Sequence, residues 1–246
     1  MIIEFAGLPS SGKSTVEKLL MGSLKKKGYF VQDRHEFRQR SAIPFLGCRT
    51  DRNAWIHKAR TAFRWWSFIS KTLYRDPEYL IGANMNRVHT ILSTVRLYDD
   101  YDIIKSYSAK RQNLTTLNIA EGTYHHLVAL NVWRGFHKKS SGCYIPGSLL
   151  SSLDAFQGQI LIKTDLKVAV AKQRLTRRGL PRGWPANLDI DCILNKFEFY
   201  DGLLSDRLPS GCYKVLRIDT TGDLTLLSDR VQKMATKVIE IHNEST

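Results

Sequence analysis

Gly7-Leu8-Pro9-Ser10-Ser11-Gly12-Lys13-Ser14-Thr15 satisfies the pattern G-x-x-x-x-G-K-[ST] in full. The run before it, Met1-Ile2-Ile3-Glu4-Phe5-Ala6, is apolar enough for a buried parallel strand. The run after it, Ser14-Thr15-Val16-Glu17-Lys18-Leu19-Leu20-Met21, carries apolar residues at helical spacing. Strand, glycine loop and helix in that order are the context in which such a loop holds phosphate. Gly7 and Gly12 permit turns closed to residues with a side chain and let a ligand approach the backbone. The loop N–H groups then converge on phosphate oxygens at a helix N-terminus. Lys13 reaches the β- and γ-phosphates, and the Ser14 hydroxyl is the candidate Mg²⁺ ligand. The nucleotide-binding set on this reading is Gly7, Pro9, Ser10, Ser11, Gly12, Lys13, Ser14 and Thr15.

The chain has 246 residues, enough for one large α/β domain with its own core. At 43% hydrophobic and 24% charged residues its composition is that of an ordinary globular protein. The net charge of +14 is not ordinary. It points to an acidic partner: nucleotide, nucleic acid, polyanionic glycan or membrane surface. A phosphate-binding enzyme with the remaining cations solvated is an equal reading. The four cysteines, Cys48, Cys143, Cys192 and Cys212, form no C-x-x-C pair and have no His at metal-ligand spacing, which suits free thiols in a reducing cytoplasm. No signal peptide and no transmembrane helix are expected.

Four further apolar runs read as strands: Tyr29-Phe30-Val31-Gln32, Thr116-Leu117-Asn118-Ile119-Ala120, Gln159-Ile160-Leu161-Ile162-Lys163-Thr164 and Tyr213-Lys214-Val215-Leu216-Arg217-Ile218. The second strand delivers Asp33, a candidate base for an acceptor hydroxyl, with Glu36 as its substitute. Arg38 is placed to hold a phosphate or carboxylate of the acceptor. The third delivers Glu121, able to hold Mg²⁺ through water or to orient the acceptor. The fourth delivers Asp165 as the cap of the next helix. From Ser41 to about Thr116 the pattern is helical, with Phe63 and Trp66 read as core and Trp65 as a partly covered surface residue. The other reading of Phe63-Arg64-Trp65-Trp66 is a platform for a base, a sugar or a membrane. His125 and His126 are adjacent on a helix and point roughly 100° apart, which disfavours a shared metal site. Arg174 and Arg178 are i and i+4 on one helix face with Arg177 alongside, and Arg182 follows in a Gly/Pro-rich loop. Such a cluster beside a phosphate loop neutralises charge on a transferring phosphoryl group.

Taken together, the P-loop after the first strand, Arg174-Leu175-Thr176-Arg177-Arg178-Gly179 after the fourth and Ile218-Asp219-Thr220-Thr221-Gly222-Asp223 after the fifth resemble the P-loop kinases of the nucleoside/nucleotide kinase group, thymidylate kinase in particular. The resemblance covers most of the chain, from Met1 to about Ile241. It implies a three-layer α/β fold with a five-stranded parallel sheet of order 2-3-1-4-5, and Mg-ATP as donor. It implies one kinase domain over 1–246, with a helical acceptor-side insertion at 41–115 and a LID at 174–188. Adenine would pack near Thr220, Thr221 and Gly222, and Asp33 and Glu121 would lie near the acceptor. The Asp33-to-Arg38 spacing is similar to that of adenylylsulfate kinases and some polynucleotide kinases. At the end of strand three, Glu121-Gly122-Thr123 stands where thymidylate kinases carry Asp-Arg-Tyr.

The expected function is an ATP-dependent phosphotransferase acting on a nucleoside, nucleotide or sugar. Lys13, Asp33, Arg38, Glu121, Arg174, Arg178 and Arg182 would form its catalytic set, with Ser14 and Glu121 serving Mg²⁺. Two other readings stand beside it: a kinase acting on a nucleic-acid end or cell-envelope glycan, and a nucleotide-binding regulatory or defence ATPase. Nucleic acid, another polyanion or a peripheral membrane contact remain open as partners, and a homodimer as assembly.

Overall fold

A computed structural model describes residues 1–33, 115–119, 122–136, 159–181, 188–207 and 211–244, with single residues at 63, 66, 70, 104 and 184; for 115–119 the description is of the backbone. Five strands are present: β1 (Ile2–Gly7), β2 (Phe30–Asp33), β3 (Thr115–Ile119), β4 (Gln159–Asp165) and β5 (Tyr213–Asp219). They pair in parallel in the order β2-β3-β1-β4-β5. The helices are α1 (Lys13–Lys26), α2 (Thr123–Gly135), α3 (Val168–Arg178), α4 (Ile190–Arg207) and α5 (Leu224–Glu244). None of them is long and apolar enough to cross a membrane, among the described residues.

The first strand sits at the centre because it is apolar on both faces, as a doubly covered parallel strand must be. Ile3 and Phe5 point into a core built with Val16, Leu20 and Leu24 of α1 and Val231, Ala235 and Val238 of α5. Ile2 and Ala6 point the other way, into a core shared with Leu130 of α2, Leu175 of α3 and Phe197 of α4. The two-residue period of the strand thus separates two helical layers, α1 and α5 on one face and α2, α3 and α4 on the other. The Gly7 end of β1 aligns with Thr164 of β4.

Two charged residues are buried among these apolar ones. Glu4 is fully buried in the middle of β1, and its Oε2 accepts the backbone N–H of Tyr124 at 3.0 Å. It serves the first turn of α2, where backbone donors lack helical partners. Room for it exists because residue 122 is glycine: a Cβ there would stand 2.5 Å from Glu4 Cδ. Lys163 of β4 is also buried, and is described with the site below.

Two sequence expectations change. Asp165 does not cap a helix. The strand runs on through it, α3 begins at Val168 after Lys167, and the Asp165 carboxylate accepts Arg217 Nη1 at 2.9 Å instead. Phe63 and Trp66 are not core: they are 86% and 62% exposed. Their i, i+3 spacing does put them on one helical face, but that face turns to solvent. The remainder of the 41–115 insertion lies outside the described residues, as does Trp65.

Gly122→Ala should destabilise the fold by about 1–3 kcal/mol in urea titration, through overpacking against Glu4. Gly22→Ala, in α1 with nothing within 4 Å of the new methyl, should raise stability by about 0.4–1 kcal/mol in the same measurement.

Candidate phosphate-binding site

The loop from Gly7 to Gly12 is shaped by positive φ values: 144° at Gly7, 62° at Ser10 and 88° at Gly12. The last makes Gly12 the N-cap of α1 with no side-chain cap, and no acidic residue lies in the first turn. The helix dipole and its leading N–H groups are therefore left to an external anion. Lys13 is buried and folds back over the loop, donating from Nζ to Gly7 O at 3.2 Å and Leu8 O at 3.0 Å. Its charge thus lies above the hollow that the backbone surrounds. Ser14 and Thr15 are exposed at the mouth.

The loop is held from beneath by β4. Thr164 Oγ1 donates to Ala6 O at 3.0 Å. A hydroxyl has one hydrogen, so in the 2.5 Å contact between Ser11 Oγ and Thr164 Oγ1 it is Ser11 that donates. Ser11 thus faces the sheet with its side chain and leaves only its backbone to a phosphate. The same Thr164 lies so close to Gly7 that a Cβ at residue 7 would stand 2.8 Å from Thr164 O.

The other wall comes from α3 and the turn after β5. Arg174 donates from Nη2 to Thr220 O at 2.8 Å. Its Nη1 lies 3.8 Å, and Thr220 Cβ 3.7 Å, from where a Cβ on Gly12 would be. Residues 12, 174 and 220, far apart in the chain, therefore meet. The β5–α5 turn is braced by Arg230, which donates to Asp219 O at 2.9 Å and Thr221 O at 2.7 Å. Hydrogen bonds from the Thr221 hydroxyl and N–H hold the Asp219 carboxyl below its usual range. Gly222 is exposed in the same turn.

Of the arginine cluster, Arg174 reaches the loop, while Arg177 and Arg178 are exposed on α3. Trp184, in the segment after α3, packs edge-on against Trp133 of α2 at 5.7 Å. Asp33 ends β2, two strands from β1 in the sheet order, roughly 10 Å at ordinary strand spacing. Glu36, Arg38, Glu121 and Arg182 lie outside the described residues. His125 and His126 are buried in α2, with His125 stacked on Phe197 at 6.0 Å.

Sequence reading missed Thr164 and Lys163. Gly7, Leu8, His125, Lys163, Phe197 and Asp201 help line a cavity of about 270 Å³ beside the loop. Lys163 Nζ donates there to Asp201 Oδ2 at 2.8 Å, Tyr124 OH at 2.7 Å and Ser205 Oγ at 2.6 Å. The bonds tie α2 and α4 to the strand residue preceding Thr164. Burial pushes the Lys163 ammonium below its ordinary 10.5, against the upward pull of Asp201. The Tyr124 phenol is pushed up, first by burial and then by Asp201.

Compared by sequence, the chain matches no family model and no curated protein. Compared by structure, it is similar to deoxyadenosine kinase from M. mycoides. The form with bound dATP is 13% identical, with a TM-score of 0.50 over 96% of this chain and 100% of that chain. The form with bound dCTP is 11% identical, with the same TM-score and coverage. The likeness is one of fold: α/β with a parallel sheet.

Thr164→Val would strand the buried Ser11 hydroxyl and Ala6 carbonyl, and should cost about 1–3 kcal/mol in urea titration, with Thr164→Ser recovering most of it. Lys163 also gives stability a pH dependence. Between its depressed folded value and 10.5 the unfolded chain binds more protons, so this contribution rises with pH through that window and is lost as pH falls through the folded value. Above 10, Tyr124 acts in the opposite sense, because its folded phenol keeps its proton longer. Lys163→Met should flatten the rise below pH 10 in denaturation measured across pH.

Proposed function

We propose that this chain is an ATP-dependent kinase that phosphorylates a hydroxyl of a nucleoside. The observation that carries the proposal is the meeting of Lys13, Gly12, Arg174 and Thr220 at the N-terminus of α1. A nucleotide-binding loop alone needs no arginine from the far side of the sheet, whereas phosphoryl transfer gains from one. The shared fold with deoxyadenosine kinases supports a nucleoside as acceptor. The finer resemblance to thymidylate kinases rests on the P-loop with the Arg174–Gly179 and Ile218–Asp223 segments.

The triphosphate lies in the loop with its charge facing the N–H groups of the helix start and Lys13. The base lies toward Thr220, Thr221 and Gly222. The acceptor occupies the space between the loop and the end of β2. Its hydroxyl oxygen attacks the γ-phosphorus, the bond from that phosphorus to the β-bridging oxygen breaks, and ADP departs. The hydroxyl proton passes to Asp33. Lys13 and Arg174 balance the charge on the phosphoryl oxygens during transfer, joined by Arg178 and Arg182 when the segment after α3 closes. Arg38 orients the acceptor. The exposed Ser14 hydroxyl would be the ligand of Mg²⁺ at the loop, and Glu121 would hold the ion through water. When bound, the ion would neutralise phosphate charge as it develops during transfer.

Incubation with labelled ATP and a pool of nucleosides, nucleotides, sugars and oligonucleotides should place the label on a nucleoside. Lys13→Ala should lower that transfer on the order of 10²- to 10³-fold, the loss seen when one preorganised charge-stabilising donor is removed, with an unchanged circular dichroism spectrum. Undiminished transfer by the variant would sink the assignment. Slow hydrolysis indifferent to every acceptor would replace it with a regulatory ATPase.

A further inference from the structure

On the face of the sheet covered by α1 and α5, the two helices leave a groove of about 540 Å³ between them. Its walls carry Lys18 and Lys26 from α1, Lys27 at its C-terminal cap and Lys233 from α5, with Gln232 and Ser228 beside them. All four lysines are exposed, and none has a carboxylate partner among the described residues. No Asp or Glu lines the groove. Its position along α1 is roughly 8–20 Å from Lys13 at the helical rise, toward the end remote from the phosphate loop. It is thus a second concentration of positive charge, separate from the first.

Helix ends explain only part of it. Lys26 lies in the last turn of α1, where a cation is favoured by the dipole. Lys18 and Lys233 lie in helix interiors, where the dipole gives no such reason. Like charges facing one another across a groove repel, and without a counter-anion the arrangement costs stability. The net charge of +14 exceeds what one triphosphate site requires.

We propose that the groove binds the sugar–phosphate backbone of a single nucleic-acid strand. Lysines on both walls neutralise phosphates. Gln232, Ser228, Ser23 and Thr236 offer hydrogen bonds to phosphate and sugar oxygens. No aromatic side chain lines the groove, so bases are not stacked and binding is indifferent to sequence. A membrane surface fits less well. The site is concave, and its apolar residues, Leu19 and Val231, are half-buried and buried instead of presented to a bilayer.

The test is fluorescence anisotropy with a labelled single-stranded oligonucleotide of mixed sequence, titrated over a range of salt. For a single strand the log–log slope is about −0.7 per neutralised phosphate, so the four groove lysines should contribute about −3. Lys18→Gln, Lys26→Gln and Lys233→Gln together should remove about 2 of it. The same number of charges removed elsewhere, by Lys167→Gln, Lys172→Gln and Lys214→Gln, should leave the slope in place. Lys13→Ala should bind the oligonucleotide as the unaltered protein does, which separates this site from the nucleotide site and its outcome from that of the kinase reading. An unchanged slope in the groove variant overturns the proposal. So does an equal loss in both triple variants, which would make binding a matter of net charge. So does groove-dependent binding to anionic phosphatidylserine vesicles without binding to the oligonucleotide.

Discussion

Between Gly7 and Thr164 the backbones of β1 and β4 come closer than any side chain at position 7 would permit. The missing Cβ lets the Thr164 hydroxyl sit beneath the loop, where it joins Ser11 to Ala6 in one line of hydrogen bonds. The first glycine of the motif therefore has two duties. It turns the chain at a φ of 144°, and it leaves space for the strand that steadies the turn. Everything that a phosphate would touch is placed relative to this contact: the start of α1, the carbonyls under Lys13 and, through the neighbouring strand, the Thr220 turn that carries Arg174.

Charge inside the core serves the same end. Glu4 receives the first turn of α2 from within β1, and Lys163 receives Asp201 and Ser205 of α4 from within β4. Both strands lead directly into the loop region. Apolar packing alone allows a helix to slide by a fraction of a turn on a sheet, whereas a buried ion pair or charged hydrogen bond fixes one register, since any other leaves a charge unpaired. Trp184 against Trp133 adds an aromatic contact between the segment after α3 and α2.

Much of this was legible in the sequence. Short apolar-rich runs ending in Gln32, Thr164 and Ile218 read as strands because they are four to six residues long and bounded by turns and charges. The phosphate loop was legible because glycine, lysine and serine stand there at fixed spacing. Thr164 was not, since its role exists only once β4 is aligned with β1, and alignment is a property of pairing. Lys163 carried no signal in the sequence, because its partners, Tyr124 on α2 and Asp201 and Ser205 on α4, lie 38 to 42 positions away on either side of it. Asp165 resembled a cap because short acidic residues before a helix often are, yet Arg217 on the neighbouring strand claimed it. Phe63 and Trp66 show a different limit: periodicity states that two residues share a face and is silent on which way that face turns.

The central place of β1 carries a further cost, one of time. Of the five described strands it is made before both of its neighbours, β3 and β4, and is paired on both sides only when β4 has followed. Ser11 and Thr164 lie 153 positions apart, and Glu4 and Tyr124 lie 120 apart. Contacts of such separation are closed late and slowly, because the loop entropy must be surrendered before the contact gives anything back. Until β3 and β4 arrive, Ile2, Ile3 and Phe5 stand as an apolar strand with two open edges, the kind of segment on which chains adhere to one another. The topology that assembles the phosphate site from distant segments also makes the nascent chain dependent on protection while it waits.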